Sequence, residues 1–172
     1  MGVFNQVEQV MHPFQTVKLD NGAAILLTPC PGTKDDDVAS SIAQLKQAGA
    51  TVLITMMQTE ELKKHSVTDI PLECSEQGVA WFHFPVEDDH SPRENTQALI
   101  ETQKQPLLAR LSQGETVAVH CKGGQGRTGL MAAILMLELG YSWAETKQRI
   151  QEVKPKSLTL APHLAYLENY KL

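Results

Sequence analysis

The sequence predicts an α/β fold of three layers, a central mainly parallel sheet flanked by helices, with an N-terminal hairpin added to it. Short apolar, β-branched runs alternate along the chain with longer segments of helical spacing, and strands separated by helices pair in parallel beneath helical layers. The second observation is local: Asp20-Asn21-Gly22 divides two short runs near the start, which is the chemistry of a tight hairpin turn. The third is the abrupt change at Gly123, where an apolar strand gives way to a glycine-rich loop and then to a wholly apolar helix.

In chain order, Pro13 to Leu19 and Ala23 to Thr28 form the hairpin. Asp35-Asp36-Asp37 precedes a helix in which Val38, Ile42 and Leu45 recur on one face, and Gly49 ends it. Three acids at a helix start cap it and complement its dipole, a better account of them than a divalent-metal site. Thr51 to Met57 is a buried strand, Thr59 to Lys64 a short helix capped by Thr59, Val79 to Phe84 a strand and Glu94 to Leu111 a helix. The strand Glu115 to His120 follows, then a buried helix from Leu130, and helices from Ser142 and Pro162 close the chain.

With 172 residues and 42% hydrophobic content, one domain spanning the whole chain with a sizeable core is expected. A net charge of −5 argues against a general nucleic-acid binder, and an acidic surface gives no reason to expect a membrane partner. Cys30, Cys74 and Cys121 are odd in number and accompany neither a secretory leader nor an apolar run long enough to span a bilayer. A cytoplasmic monomer with reduced thiols is therefore expected. Cys30 and Cys74 read as core cysteines, with a reversible disulfide to Cys121 as the alternative. The six histidines, His12, His65, His83, His90, His120 and His163, lack metal-ligand spacing, so neither a metal nor any other cofactor is implied.

The chemistry concentrates in Val117-Ala118-Val119-His120-Cys121-Lys122-Gly123-Gly124-Gln125-Gly126-Arg127-Thr128-Gly129. Amides between a strand end and a helix N-terminus converge, lack intrahelical partners and favour an anion. A helix N-terminus and a neighbouring guanidinium favour a thiolate, which makes Cys121 the candidate nucleophile. Gly123, Gly124 and Gly126 remove side-chain bulk and permit positive φ, so that the backbone of Lys122 to Gly126, Gln125 included, can approach phosphate oxygens. Arg127 offers a planar fork for two of those oxygens, and Thr128 places a hydroxyl beside the thiolate.

Gly124-Gln125-Gly126-Arg127-Thr128-Gly129 also fits the dinucleotide pattern G-x-G-x-x-G. That reading requires a second strand ending in an acidic residue, whereas Ser142 to Val153 reads as another helix. A nucleotide P-loop fails because Arg127 stands where lysine is required. An inert buried cysteine beside a tight turn leaves the three glycines and the arginine unexplained.

His-Cys-x5-Arg-Thr resembles the signature of the cysteine-dependent protein phosphatases, and the short chain is similar to the dual-specificity branch. Phe82-His83-Phe84-Pro85-Val86-Glu87-Asp88-Asp89-His90-Ser91-Pro92, with Thr51 to Leu62, resembles the kinase-associated phosphatase (cyclin-dependent kinase inhibitor 3) and the Cdc14-like phosphatases. The resemblance covers roughly Asp35 to Leu167. It implies a protein tyrosine phosphatase-like fold and hydrolysis of phosphotyrosine, phosphoserine and phosphothreonine through a phosphocysteine. A phosphorylated protein, a kinase among the options, is the implied partner. Asp88, three residues after Pro85, matches the acid loop, with Asp89 as the neighbouring candidate. His120 is implied to support the cysteine without touching phosphate.

The segment Lys154 to His163 resembles the Arg-Pro-x-Ser/Ala segment of the Cdc14-like enzymes, but His163, with Thr159 beside it, stands where relatives often carry a water-positioning glutamine. The lack of a Lys-Asn-Arg-Tyr phosphotyrosine loop implies a shallow pocket. Two other functions remain open at this level. A phosphoinositide or an RNA 5′-triphosphate is suggested by Lys122 and disfavoured by Gln125, and a non-catalytic phosphate-binding module is disfavoured by the intact Cys121, Arg127 and Asp88.

Overall fold

The computed structural model describes residues 11–170. Five strands form one sheet in the order β1-β2-β5-β3-β4. β1 (Gln15–Lys18) and β2 (Ala24–Thr28) are the antiparallel hairpin, with Gly22 at φ 91° in its turn, a conformation that glycine adopts without a Cβ penalty. β2, β5 (Thr116–His120), β3 (Ala50–Thr55) and β4 (Ala80–His83) are mutually parallel. Their carboxyl ends therefore lie along one edge, where the loops after β3, β4 and β5 meet.

The two faces of the sheet are covered by different helices. Ile25, Leu27, Val52, Ile54, Val117 and Val119 face a core built with α4 (Glu94–Ser112), α5 (Gly126–Glu138), α6 (Trp143–Val153) and α7 (Ala161–Glu168). Leu26, Leu53 and Ala118, the alternate residues, pack against α1 (Val38–Gln47), α2 (Thr59–Lys64) and α3 (Ile70–Gln77). This period-two division of continuously apolar strands is what a sheet buried on both faces requires. No helix of the described residues is long and apolar enough to cross a membrane.

Several local expectations change. Asp37 alone of the three acids caps α1, its side chain accepting from the Ser40 N–H at 2.8 Å. Thr59 does not cap α2; Gln58 does, in a capping box in which the Glu61 carboxylate accepts from the Gln58 N–H at 2.9 Å. α3 is an additional helix whose inward face is carried by Ile70 and Cys74 alone, too thin a stripe to register as periodicity. α5 starts at Gly126, one turn earlier than its apolar run, so Arg127 and Thr128 belong to the helix.

α5 is buried on nearly every side, and Gly129 allows it to approach the chain after α6. A Cβ at Gly129 would lie 2.8 Å from Ser157 Cβ and 3.0 Å from Ser157 Oγ. Gly129→Ala should destabilise the fold by about 1–3 kcal/mol through overpacking. Ser157→Gly should restore part of that loss, so a double-mutant cycle in urea should show the pair less destabilised than the sum of the singles. Strict additivity would show that the close approach does not limit packing there.

Candidate active site

β5 delivers His120 and Cys121 to the carboxyl edge, and the turn that follows is held at both ends by the fold. The Cys30 N–H donates to the Lys122 carbonyl at 3.1 Å, and Ser157 Oγ donates to the Gln125 carbonyl at 2.8 Å. Of the loop glycines, only Gly124 takes positive φ, at 81°, and a Cβ there would stand 2.7 Å from the backbone of Thr28 and Pro29. Gly123 and Gly126 do not need that conformation: Gly123 faces open space, and the nearest atom to a Cβ on Gly126 is His163 Cε1 at 3.7 Å. The Gly124 N–H donates to Cys121 Sγ at 3.2 Å, a contact that stabilises negative charge on sulfur. Thr128 Oγ1 finds no hydrogen-bond partner among the described residues, so the expected contact with Cys121 is not made.

Arg127 is fully buried, and its guanidinium is held by groups from two other segments. Nη1 donates to Glu61 Oε2 at 2.7 Å and to the Val86 carbonyl at 2.8 Å, while Nη2 donates to Glu61 Oε1 at 3.0 Å. This is a bidentate fork of the kind arginine forms and lysine cannot. Nε lies 3.5 Å from Asp88 Oδ1, too far for a good hydrogen bond, and its N–H is unpaired among the described residues. The positive charge of Arg127 is thus offset by Glu61. Burial works against the charged form of Glu61, but hydrogen bonds from Arg127 and from the Gln58 N–H outweigh it and hold the carboxyl below its ordinary range. Burial likewise opposes the Arg127 cation, and Glu61 more than compensates, raising its pKa.

The loop after β4 presents Asp88 and Asp89 in different ways. Asp88 has the Arg127 contact and accepts from the Asp89 N–H at 3.1 Å, whereas Asp89 occupies the left-handed region at φ 66°. The same loop is tied to α7 by His163, buried, whose Nε2 lies 2.9 Å from the His90 carbonyl. Burial lowers the pKa of His163. Thr159 is exposed and bonds to the Lys156 carbonyl, away from the loop.

Beneath the loop, His120 Nδ1 is 3.0 Å from the Cys121 carbonyl and Nε2 is 2.8 Å from Thr55 Oγ1. Burial pushes His120 down to about 4, so the ring is neutral at neutral pH. Cys30 and Cys74 are free and buried, and burial pushes each thiol up to about 12, which suits inert core residues.

The structure thus brings Cys121, Lys122 to Gly126, Arg127, Asp88, His120 and His163 to one edge. Sequence reasoning missed Glu61, the Val86 carbonyl, Ser157 and Thr55. Glu61 had a signal, since it stands three residues after Gln58 at the start of a helix, but Gln58 is a less familiar cap than serine or threonine.

A glycine-rich turn that holds a cysteine and a buried arginine at the carboxyl edge of a mainly parallel sheet between helical layers is the arrangement of the cysteine-dependent phosphatases. Residues 29–163 match the model of a DSP-PTPase phosphatase domain, described as a Swiss Army Knife protein, and the chain belongs to that family. It is similar to protein tyrosine phosphatase type IVA 2 of Mus musculus, at 29% identity over 124 residues, 66% of this chain and 72% of that protein. It is also similar to cyclin-dependent kinase inhibitor 3 of Rattus norvegicus, at 29% identity over 120 residues, 67% of this chain and 55% of that protein. The fold matches a crystal structure of kinase associated phosphatase, its catalytic-site cysteine substituted by serine, with a TM-score of 0.76 at 21% identity, covering 93% of this chain and 94% of the other.

Releasing Arg127 should be costly for stability and rate alike. Glu61→Gln should destabilise the protein at neutral pH by about 3 kcal/mol, the lower end for breaking a buried pair, and lower kcat/KM for an aryl phosphate by about 10- to 100-fold. Because the folded pKa of Glu61 is depressed, its stabilisation is present above the ordinary carboxylate range and is lost as pH falls through the depressed value. The stability gap between wild type and Glu61→Gln should therefore close in acid, and a gap independent of pH down to 2 would assign the effect to packing alone.

Proposed function

We propose that this phosphatase hydrolyses phosphoric monoesters on tyrosine and on serine or threonine side chains, through a phosphocysteine at Cys121. The observation that carries the reading is the pairing of a cysteine whose sulfur meets a loop N–H with a buried arginine whose Nε–H is unpaired. A phosphate oxygen supplies the acceptor that Nε lacks, and the Lys122 to Gly126 amides supply the other donors of an anion cradle.

In the first step the Cys121 thiolate attacks phosphorus, forming the S–P bond as the P–O bond to the leaving group breaks. Arg127 and the loop amides hold the equatorial oxygens, and Asp88 gives its proton to the departing oxygen, releasing an alcohol or phenol. In the second step water forms the new P–O bond, its proton passes to Asp88, and the S–P bond breaks to regenerate the thiolate and release inorganic phosphate. Asp88 is favoured over Asp89 by its approach to Arg127, whose Nε–H is the proposed phosphate donor. His163 holds the acid loop through the His90 carbonyl. A phosphorylated protein, a kinase among the candidates, is the proposed partner.

One observation favours a second reading, a polyanionic non-protein substrate such as a phosphoinositide or an RNA 5′-triphosphate. Lys154 is close enough to Cys121 for charge there to act on it, which puts a second lysine besides Lys122 near the loop. Turnover of a panel of phosphopeptides, inositol phospholipids and triphosphorylated RNA separates the two, and the protein reading requires the phosphopeptides to be preferred.

Cys121→Ser should abolish turnover of an aryl phosphate while leaving oxyanion binding measurable; substantial residual turnover would remove Cys121 from the nucleophile role. Asp88→Ala should lower kcat by about 10²- to 10⁴-fold and flatten the limb of the pH profile on which rate falls as the acid ionises. The same loss in Asp89→Ala, with Asp88→Ala nearly unaffected, would move the acid by one residue.

A further inference from the structure

The chain that leaves α6 crosses the first turn of α5 at close range. Ser157 is fully buried, its Cβ stands 2.8 Å from where a Cβ on Gly129 would lie, and its Oγ donates to the Gln125 carbonyl at 2.8 Å. The same carbonyl accepts from the Gly129 N–H at 3.0 Å, so both of its lone pairs are taken. Gln125 differs from most residues that precede helices in this chain. Those before α1, α2, α4, α6 and α7 are extended, as helix starts prefer, whereas Gln125 has φ −119° and ψ −62° and its side chain makes no cap. The direction of the Gln125–Gly126 peptide is therefore fixed by what its carbonyl meets.

We propose that Ser157 is a positioning residue for anion recognition: its hydroxyl holds the Gln125 carbonyl and so presents the Gly126 N–H to the phosphate of the substrate. In a trans peptide the carbonyl and the following N–H point in opposite directions. Two donors that draw the Gln125 carbonyl back along α5 therefore turn the Gly126 N–H out past the helix start, where an unpaired amide meets an anion. The Gly129 N–H alone would leave one lone pair free and the peptide able to turn about that single bond. The hydroxyl is itself held by a strained segment. Leu158 is buried at φ 60°, a left-handed conformation that a residue with a Cβ adopts at a cost. Gln151 Nε2 donates to the Ser157 carbonyl at 2.9 Å and to the Leu158 carbonyl at 3.3 Å, and the Ser157 N–H donates to the Lys154 carbonyl at 3.0 Å. Backbone, side chain and packing thus place one hydroxyl against one carbonyl of the loop.

The role rests on the phosphatase reading of the cradle, and binding and spectroscopy test the two separately. In ¹⁵N–¹H spectra of the full chain, tungstate should shift the Gly126 amide of the wild type. Ser157→Ala should bind tungstate about fivefold more weakly, the scale of one lost hydrogen bond, with a smaller shift at Gly126. Ser157→Gly should show the same loss, because both variants lack the hydroxyl; a loss confined to Ser157→Gly would assign the effect to packing and overturn the proposal. Wild-type tungstate affinity in Ser157→Ala overturns it also. A wild-type protein that binds no tungstate would instead remove the phosphatase reading, and the role of Ser157 with it.

Discussion

A guanidinium removed from water is tolerable only if its charge and its N–H groups find partners, and the arrangement of the site depends on how that requirement is met at Arg127. Glu61 neutralises the charge and takes two N–H bonds, and the Val86 carbonyl takes a third. These partners come from the segments after β3 and after β4, while Arg127 belongs to the first turn of α5 after β5. The three segments meet because β5, β3 and β4 are consecutive in the sheet and parallel, so their exits share an edge. Glu61 is itself fixed by the Gln58 N–H, so one carboxylate both caps α2 and holds the arginine of another element. The fork therefore joins the start of α2, the first turn of α5 and the chain after β4.

The second constraint is the change of character at the ends of the strands. Along β2, β3 and β5 the residues facing α1 and α3 are Leu26, Leu53 and Ala118, and two positions further on they become Thr28, Thr55 and His120. The polar layer lies directly beneath the loop, where an apolar layer would leave the Cys121 carbonyl without its imidazole donor. Thr28 Oγ1 donates to the Pro13 carbonyl at 2.8 Å, so the row also anchors the chain that enters the hairpin. Local structure and packing are joined at this layer: strand register sets the row, and the row holds His120 between Thr55 and the Cys121 carbonyl.

The sheet and most helices were legible because continuously apolar strands and glycine or aspartate punctuation are local signals. Cys121, Arg127 and the acid loop were legible because they fall within two short stretches of chain. What escaped is non-local. Glu61 meets Arg127 across 66 positions and Thr55 meets His120 across 65, and a single sequence records neither pairing. α3 escaped because its buried stripe is two residues wide, and the start of α5 was placed late because the glycines that end a strand here also open a helix. The resemblance of the loop to the phosphatase signature supplied roles for residues, the support of Cys121 by His120 among them, but not the distant partners that hold them.

The electrostatics of the cradle follow from this accounting. Because Glu61 offsets Arg127, the proposed attraction for an anion rests on the loop amides and the unpaired Nε–H more than on an exposed cation. The nearest competing acceptor for Nε is the Asp88 carboxylate at 3.5 Å. A phosphate oxygen and the Asp88 carboxylate are drawn to the same N–H, so under the proposed mechanism a bound substrate takes the place of Asp88 at Arg127. Under that mechanism the shared N–H links arrival of the substrate to the position of Asp88, while His163, bonded to the His90 carbonyl, ties the same loop to α7.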